Sequence, residues 1–526
     1  MASEYQNDEL NNYTLMLRKI RITFSVFFFV LTLLLFLDFT GSIHLWFGWM
    51  AKIQLIPAIL ATNIVVLVVM AITTLLFGRI YCSVICPLGI FQDCISAISG
   101  KRKKKKNRFR FSSAKSWLRY GVLGLFVIAI ILSISVIVSL LDPYAAFGRI
   151  ASNFFAPVYR LGNNLLALFA EKMDSYAFYS TEVWIKGWIT FGIAAITFIV
   201  VSILAWKNGR SYCNTICPVG TLLGFLSKFS LFRLRFDVDK CTKCKACERA
   251  CKSSCIDSKT MNIDHSRCVN CFNCIEKCKF GAMTYTPVKI GKGKNTDATN
   301  VVDEPTTDNT TNNKEQDGLS RRNLLTLLGT MAVAGTIKAQ QLHLEGGLAD
   351  IEDKKIPDRK TPLVPPGALG AKNMKRHCSA CQLCVSACPN NVLRPSNKLA
   401  TLMQPEMSYE RGYCRPECTE CSRVCPTNAI RPISTADKSA ISIGIAVWIK
   451  ENCVVNRDEV QCNNCERHCP TGAITQIKLK PEDDKSLKIP VIDKELCIGC
   501  GACEYQCPAR PFSAIYVEGN VRHHSI

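Results

Sequence analysis

Cys378-Ser379-Ala380-Cys381-Gln382-Leu383-Cys384-Val385-Ser386-Ala387-Cys388-Pro389 sets a run of closely spaced cysteines against a closing proline. An iron–sulfur cage needs four soft, deprotonated thiolates converging on one point, and such short gaps let a single loop supply three of them. The spacing C-x2-C-x2-C-x3-C-P is that of bacterial ferredoxins, where the fourth cysteine serves the neighbouring cluster. It predicts α+β modules of β-hairpins and short helices related by a pseudo-twofold axis.

The pattern recurs along the chain. Cys497, Cys500, Cys503 and Cys507 with Pro508 keep the same spacing. Cys414, Cys418, Cys421 and Cys425 with Pro426 widen the first gap by one residue, and Cys453, Cys462, Cys465 and Cys469 with Pro470 widen it further. Upstream stand Cys241, Cys244, Cys247 and Cys251, then Cys268, Cys271, Cys274 and Cys278. Here Lys252 and Lys279 replace the proline. The exchange of fourth ligands joins Cys251 to the second triplet and Cys278 to the first. Cys255 is an extra thiol that competes with Cys251, which is preferred. For the four C-terminal groups, sequential and nested pairing both stay open. The total is about six [4Fe–4S] clusters.

Thirty cysteines is far above ordinary usage. As disulfides they would be irregularly spaced in a secreted chain. Structural zinc sites use two separated pairs, whereas these are triplets with a fourth cysteine.

Four apolar stretches are long enough to cross a bilayer as helices, from Ile22 to Phe39, Ile53 to Phe77, Tyr120 to Leu141 and Trp184 to Trp206. Arg18, Lys19 and Arg21 precede the first, and a basic run from Lys101 to Lys106, with Arg108 and Arg110, separates the second from the third. The positive-inside rule puts the N-terminus, that loop and the segment after the fourth stretch in the cytoplasm. The net charge of +22 is thus a topology signal, with no nucleic-acid motif beside it. Trp46, Trp49 and Trp184 fit an aromatic belt at the outer interface.

The second and fourth stretches end in one repeated turn. Gly78-Arg79-Ile80-Tyr81-Cys82-Ser83-Val84-Ile85-Cys86-Pro87-Leu88-Gly89 matches Gly209-Arg210-Ser211-Tyr212-Cys213-Asn214-Thr215-Ile216-Cys217-Pro218-Val219-Gly220 at eight of twelve positions. If the halves are symmetric, Cys82, Cys86, Cys213 and Cys217 meet at the cytoplasmic face and hold another iron–sulfur centre. Alternatively they are buried thiols in turns that dock the ferredoxin head, and this second reading is preferred. Cys94 has no counterpart in the repeat and is expected to be a packed core thiol.

The expected architecture is a multi-domain membrane protein, a four-helix transmembrane bundle plus α+β bacterial-ferredoxin-like modules. Residues 1–236 form the four-span domain and 237–290 a cytoplasmic two-cluster ferredoxin. Residues 291–319 are a polar linker with a disordered composition. Residues 320–340 open with Ser320-Arg321-Arg322-Asn323-Leu324-Leu325, a twin-arginine-like signal or anchor with Ala339 as a candidate cleavage site. Residues 341–526 form a periplasmic four-cluster ferredoxin. The chain is placed in the inner (cytoplasmic) membrane, in contact with lipid, with its N-terminus in the cytoplasm.

On these motifs, residues 1 to about 290 resemble the NapH-type membrane polyferredoxins. From about 320 the chain resembles the NapG/MauM-type exported ferredoxins, through the paired arginines, Pro365-Pro366-Gly367-Ala368-Leu369 and four cluster motifs. The resemblance implies a quinol dehydrogenase subunit that passes electrons to a periplasmic acceptor such as a reductase chain. The family's turn often carries Gly-Trp between its cysteines, where Ser83-Val84 and Asn214-Thr215 stand here. Quinol oxidation needs proton acceptors, for which His44, Asp142 and Glu182 are candidates, with Tyr144 and Arg149 placed to hold a headgroup. Two other readings stay open: a protein-fed relay across the membrane, and a maturation factor reducing a metal or cofactor. No haem-attachment motif or dinucleotide fingerprint is present, so no haem, flavin or nicotinamide is expected.

Overall fold

The computed structural model describes residues 2–102, 109–175, 178–288, 352–482 and 486–526. The expected linker (291–319), the signal with Arg321 and Arg322, and the heart of the basic run lie outside the described residues.

Apolar residues drive the first half into helices: α1 (Ala2–Leu37), α2 (Ile64–Phe77), α3 (Pro87–Arg102), α4 (Ser116–Ile131), α5 (Pro143–Ile150) and α6 (Trp188–Asn208). Only Met16–Leu37 of α1 and the whole of α6 are long and apolar enough to cross a membrane, among the described residues. The four full-length spans expected from the sequence are thereby corrected to two, and α2 and α4 are shorter.

The cause is local backbone. Thr62 and Ser133 adopt left-handed φ values of 52° and 56°, which break a helix. Asn63 then caps α2 by accepting from Val66 N. The residues before α2 and after α4 fold as short helices instead. These pack inward: Leu55, Ile56 and Ala58 are buried, as is every residue from Pro143 to Ala151. The outward faces of α1, α2, α4 and α6 stay apolar and open, as at Phe24, Val65, Ile128 and Ile196.

The first ferredoxin module closes its ends with β1 (Phe232–Phe236), antiparallel to β4 (Met283–Pro287). Between them, β2 (Ile256–Asp257) pairs with β3 (Asn262–Ile263). The C-terminal module contains three more antiparallel pairs. They are β5 (Leu393–Pro395) with β6 (Pro405–Met407), β8 (Ile474–Lys478) with β9 (Lys488–Ile492), and β7 (Ile441–Trp448) with the long β10 (Ile515–Ser525). The last pair ties the beginning of the module's second half to the chain's end.

The two modules sit at opposite ends of the same helices. Arg18 pairs with Glu276 at 2.7 Å where the apolar part of α1 begins, while Gly41, just past its end, accepts from Arg423. Phe77, closing α2, accepts from Asn270 of the first module; Leu60, ahead of α2, faces His377 Nδ1 of the second at 3.1 Å. At the start of α4, Arg119 donates to Ser266, and beyond its end Ser135 donates to Ala400.

Candidate iron–sulfur and electron-transfer site

Each ferredoxin cysteine group rides on a loop running into a one-turn helix, as at Ala246–Ala250, Asn273–Lys277, Leu383–Ala387 and Ala502–Gln506. Left-handed residues ahead of the helix, such as Lys245, Phe272, Gln382 and Gly501, curl the loop so that its cysteines face one point. The groups converge with exchanged fourth members. Cys241, Cys244, Cys247 and Cys278 line one small cavity. Cys388 joins Cys414, Cys418 and Cys421 around a second, which Pro365 and Pro366 also wall, giving the Pro-Pro-Gly stretch a packing role. Cys507 joins Cys453, Cys462 and Cys465 around a third.

The remaining sets follow the same rule. Cys384 lies in the field of Cys381, Cys378 and Cys425, and Cys500 in that of Cys469 and Cys497. The pairing is therefore sequential: the 378 group with the 414 group, and the 453 group with the 497 group. Cys414 N donates to Cys500 O at 2.9 Å, joining the two halves.

Cys274 is surrounded by Cys271, Cys268 and Cys251. Cys255 is also buried and stands 3.5 Å from Cys251. That hydrogen bond outweighs burial and lowers the Cys251 thiol below its ordinary value. The same bond, with another to Cys268 and burial, pushes Cys255 up. Cys251 is thus the readier thiolate, and Cys255 the donor beside it.

The repeated turns interlock. Arg79 Nη2 donates to Cys213 O at 3.4 Å, and Arg210 Nη1 donates to Cys82 O at 2.5 Å, so each turn's arginine holds the other's first cysteine. A Cβ on Gly89 would fall 2.4 Å from Cys82 O, and one on Gly220 2.1 Å from Cys213 O. Glycine at these places is what lets each turn close. All four cysteines are buried, and Cys86 and Cys217 each lie in the field of Cys82 and Cys213.

Asp93 on α3 anchors the base of this arrangement. It takes Arg210 through both oxygens at 2.7 Å and Lys252 at 2.8 Å, with Arg21 at 3.4 Å. Burial opposes the Asp93 charge, but Arg210 and Lys252 outweigh it and hold the carboxyl well below the usual range. Lys252 also accepts from Arg210 N through its carbonyl. The lysine that replaces the ferredoxin proline thus fastens the first module to the turns. No comparable role accounts for Lys279, which is exposed.

Cys271, the four turn cysteines, and Cys381, Cys384 and Cys425 belong to one continuous buried core. The packing between turns and second module includes α5. There Gly148 lies against Cys381 O, and the fully buried Arg149 sits in the fields of both Tyr212 and Cys381.

Of the five candidates for handling quinol, Asp142, Tyr144 and Arg149 are brought together in this buried segment. Among the described residues, Asp142 Oδ2, the Tyr144 hydroxyl and all three Arg149 guanidinium nitrogens have no hydrogen-bond partner. His44 is buried apart from them, beside Asp38. Glu182 is exposed and faces Arg411 at 3.8 Å. Trp184, expected at a lipid interface, lies instead between Arg394 and Arg411, at 4.4 and 4.7 Å. Cys94, expected in the core, is exposed. The crossed arginines escaped sequence reasoning, although their signal, a Gly-Arg pair heading both turns, was present.

A 4Fe-4S binding domain matches residues 59–106 and 188–237, each range holding one of the repeated turns, and a 4Fe-4S dicluster domain matches residues 460–510. The chain is 23% identical over 198 residues to the putative electron transport protein YccM of Escherichia coli, covering 38% of this chain and 48% of that protein. It is 26% identical over 175 residues to the methylamine utilization ferredoxin-type protein MauN of Paracoccus denitrificans, 33% of this chain and 48% of the relative. To the ferredoxin-type protein NapH of Haemophilus influenzae it is 22% identical over 175 residues, 33% and 47% respectively. The chain spans about half the length of these relatives. No solved structure matches it. The chain is thus related, over part of its length, to ferredoxin-type proteins with 4Fe–4S domains.

Proposed function

We propose that this chain is a membrane-bound iron–sulfur protein that carries electrons from one face of the membrane to the other. The observation that carries this reading is the placement of two ferredoxin modules at opposite ends of the same helices, joined by one buried core. A 21-residue helix such as α6 is about 30 Å long, the thickness of the hydrocarbon layer. Apolar faces left open on α1, α2, α4 and α6 suit lipid better than water. In this reading the four helices and their inward-folded connections make up the membrane domain. The first module faces the cytoplasm and the second, NapG-like module faces the periplasm.

Bound clusters supply one-electron redox chemistry, and the protein supplies their thiolates, their hydrogen bonds and a dry path between them. The ligand sets are those the cavities define, with exchanged fourth cysteines. The test is made in sealed vesicles. A membrane-impermeant reductant applied at one face should reduce an impermeant acceptor at the other, and failure with fully loaded protein would sink the relay.

A second reading has quinol as the donor and a periplasmic reductase chain as the acceptor. It is favoured by the unpartnered atoms of Asp142, Tyr144 and Arg149, which suit a quinol headgroup beside Cys381. Reduction of the clusters by a menaquinol analogue, followed by EPR and lost in Asp142→Asn, would support it. Clusters unresponsive to quinol would leave the protein-fed relay.

A further inference from the structure

The charge around the interlocked turns does not balance among protein groups alone. Arg79 and Arg210 are fully buried, and Arg21 and Lys252 nearly so. Among the described residues, Asp93 pairs with three of these four cations, and Arg79 pairs directly with no carboxylate. Arg79 has no acidic partner in its hydrogen-bond set, which consists of Asn214 Oδ1, Ser266 O, Cys213 O and Cys82 Sγ. A buried cation without counter-charge is strongly destabilising, so the excess favours an anion beside the four buried turn cysteines.

The sulfurs are already furnished with donors. Gln92 Nε2 lies 3.2 Å from Cys213 Sγ, Gly220 N lies 3.4 Å from Cys217 Sγ, and Arg79 Nη2 lies 3.8 Å from Cys82 Sγ. The ferredoxin groups show the same device, with Ala380 N at 3.3 Å from Cys378 Sγ and Ala514 N at 3.2 Å from Cys507 Sγ.

We propose that Cys82, Cys86, Cys213 and Cys217 together hold one further [4Fe–4S] cluster, two ligands from each turn, with Arg79 and Arg210 as its buried counter-charges. Four thiolates on an oxidised four-iron core carry a net charge of about −2, which offsets most of the cation excess. The centre abuts the first module through Lys252 and leads through Tyr212 and Arg149 towards Cys381. It rests on the relay reading only for its use.

The test is iron and acid-labile sulfide per chain, with EPR, on the full-length protein purified anaerobically in detergent. Cys82→Ser with Cys213→Ser should lose about four irons and one spectral component. Cys94→Ser, at an exposed thiol on α3, should keep them all. Unchanged iron and spectra in the double variant would overturn the proposal, as would loss of one zinc per chain instead of iron. Should the double variant fail to fold, Arg79→Gln keeps all four thiols. It should retain full iron with one component at a lower reduction potential, because the added electron loses a nearby positive charge. No component shifting would count against the site. Iron loss with cross-membrane transfer intact would uphold the cluster and remove its part in the relay. Unchanged iron with transfer intact would overturn the cluster and leave the relay standing.

Discussion

Asp93 is the residue on which the docking of the first module depends. It is shared by Arg210, Lys252 and Arg21, so Asp93→Asn strands three buried cations. Removing one partner of such a network costs roughly 3–5 kcal/mol. The variant should show a lowered thermal midpoint and lose the first module's centres at the same step, in a melt followed by cluster absorbance. The lowered Asp93 value sets the pH window. Its contribution is complete above the ordinary carboxylate pKa of about 4 and fades only as pH falls through the lower folded value. The stability gap between wild type and Asp93→Asn should therefore stay level from about pH 7 to about pH 5. At the same scale, Cys251→Ser should cost about four irons whereas Cys255→Ser should keep them, measured by iron per chain. The cysteine spacings made this much of the candidate site legible, down to the exchange of fourth members. Lys252 was legible only as a departure, because its partner Asp93 is far away in sequence and nothing local announces the pair.

Among the elements, the helices that open at Pro87 and Pro218 depend on glycine. Gly89→Ala and Gly220→Ala would each drive a methyl into a cysteine carbonyl and crowd the partner turn's arginine, at 2.9 Å in both cases. Either variant should lower the melting temperature by several degrees, on the order of 1–3 kcal/mol of overpacking. A wild-type melt in both would show that the turns are looser than the hydrogen bonds imply. Hydropathy located α1 and α6 because these are uninterrupted apolar helices. It overran α2 and α4 because the breaks at Thr62 and Ser133 come from left-handed backbone, which hydropathy does not register. Residues 135–155 read as a span with a loop, and their burial as an inserted segment depends on the second module covering them.

For the whole molecule, the arrangement makes a prediction about sidedness. A reporter active only outside the cytoplasm, fused after Ile526, should be active, and Arg321→Lys with Arg322→Lys should silence it. An inactive fusion on a stable chain would place both modules on one side. The internal repeat made the two-halves plan readable in advance. The docking of the second module was not readable, since it rests on scattered polar contacts: Ser152 with Ser386, Asn153 with Gln382, and Lys186 with Val385 O. Each is an ordinary residue in its own stretch of sequence.

The crossed arginines also impose an order of events on synthesis. Cys82 and Cys86 leave the ribosome long before Cys213 and Cys217, and Arg210, which holds the Cys82 carbonyl, arrives with the later pair. Until then the early turn is half a clasp, with two thiols and the unpaired charge of Arg79. The later turn must reach it before either is fastened. Any iron delivered there is therefore gated by the chain's own completion, and a ribosome stalled between the two turns would leave a thiol pair open to oxidation.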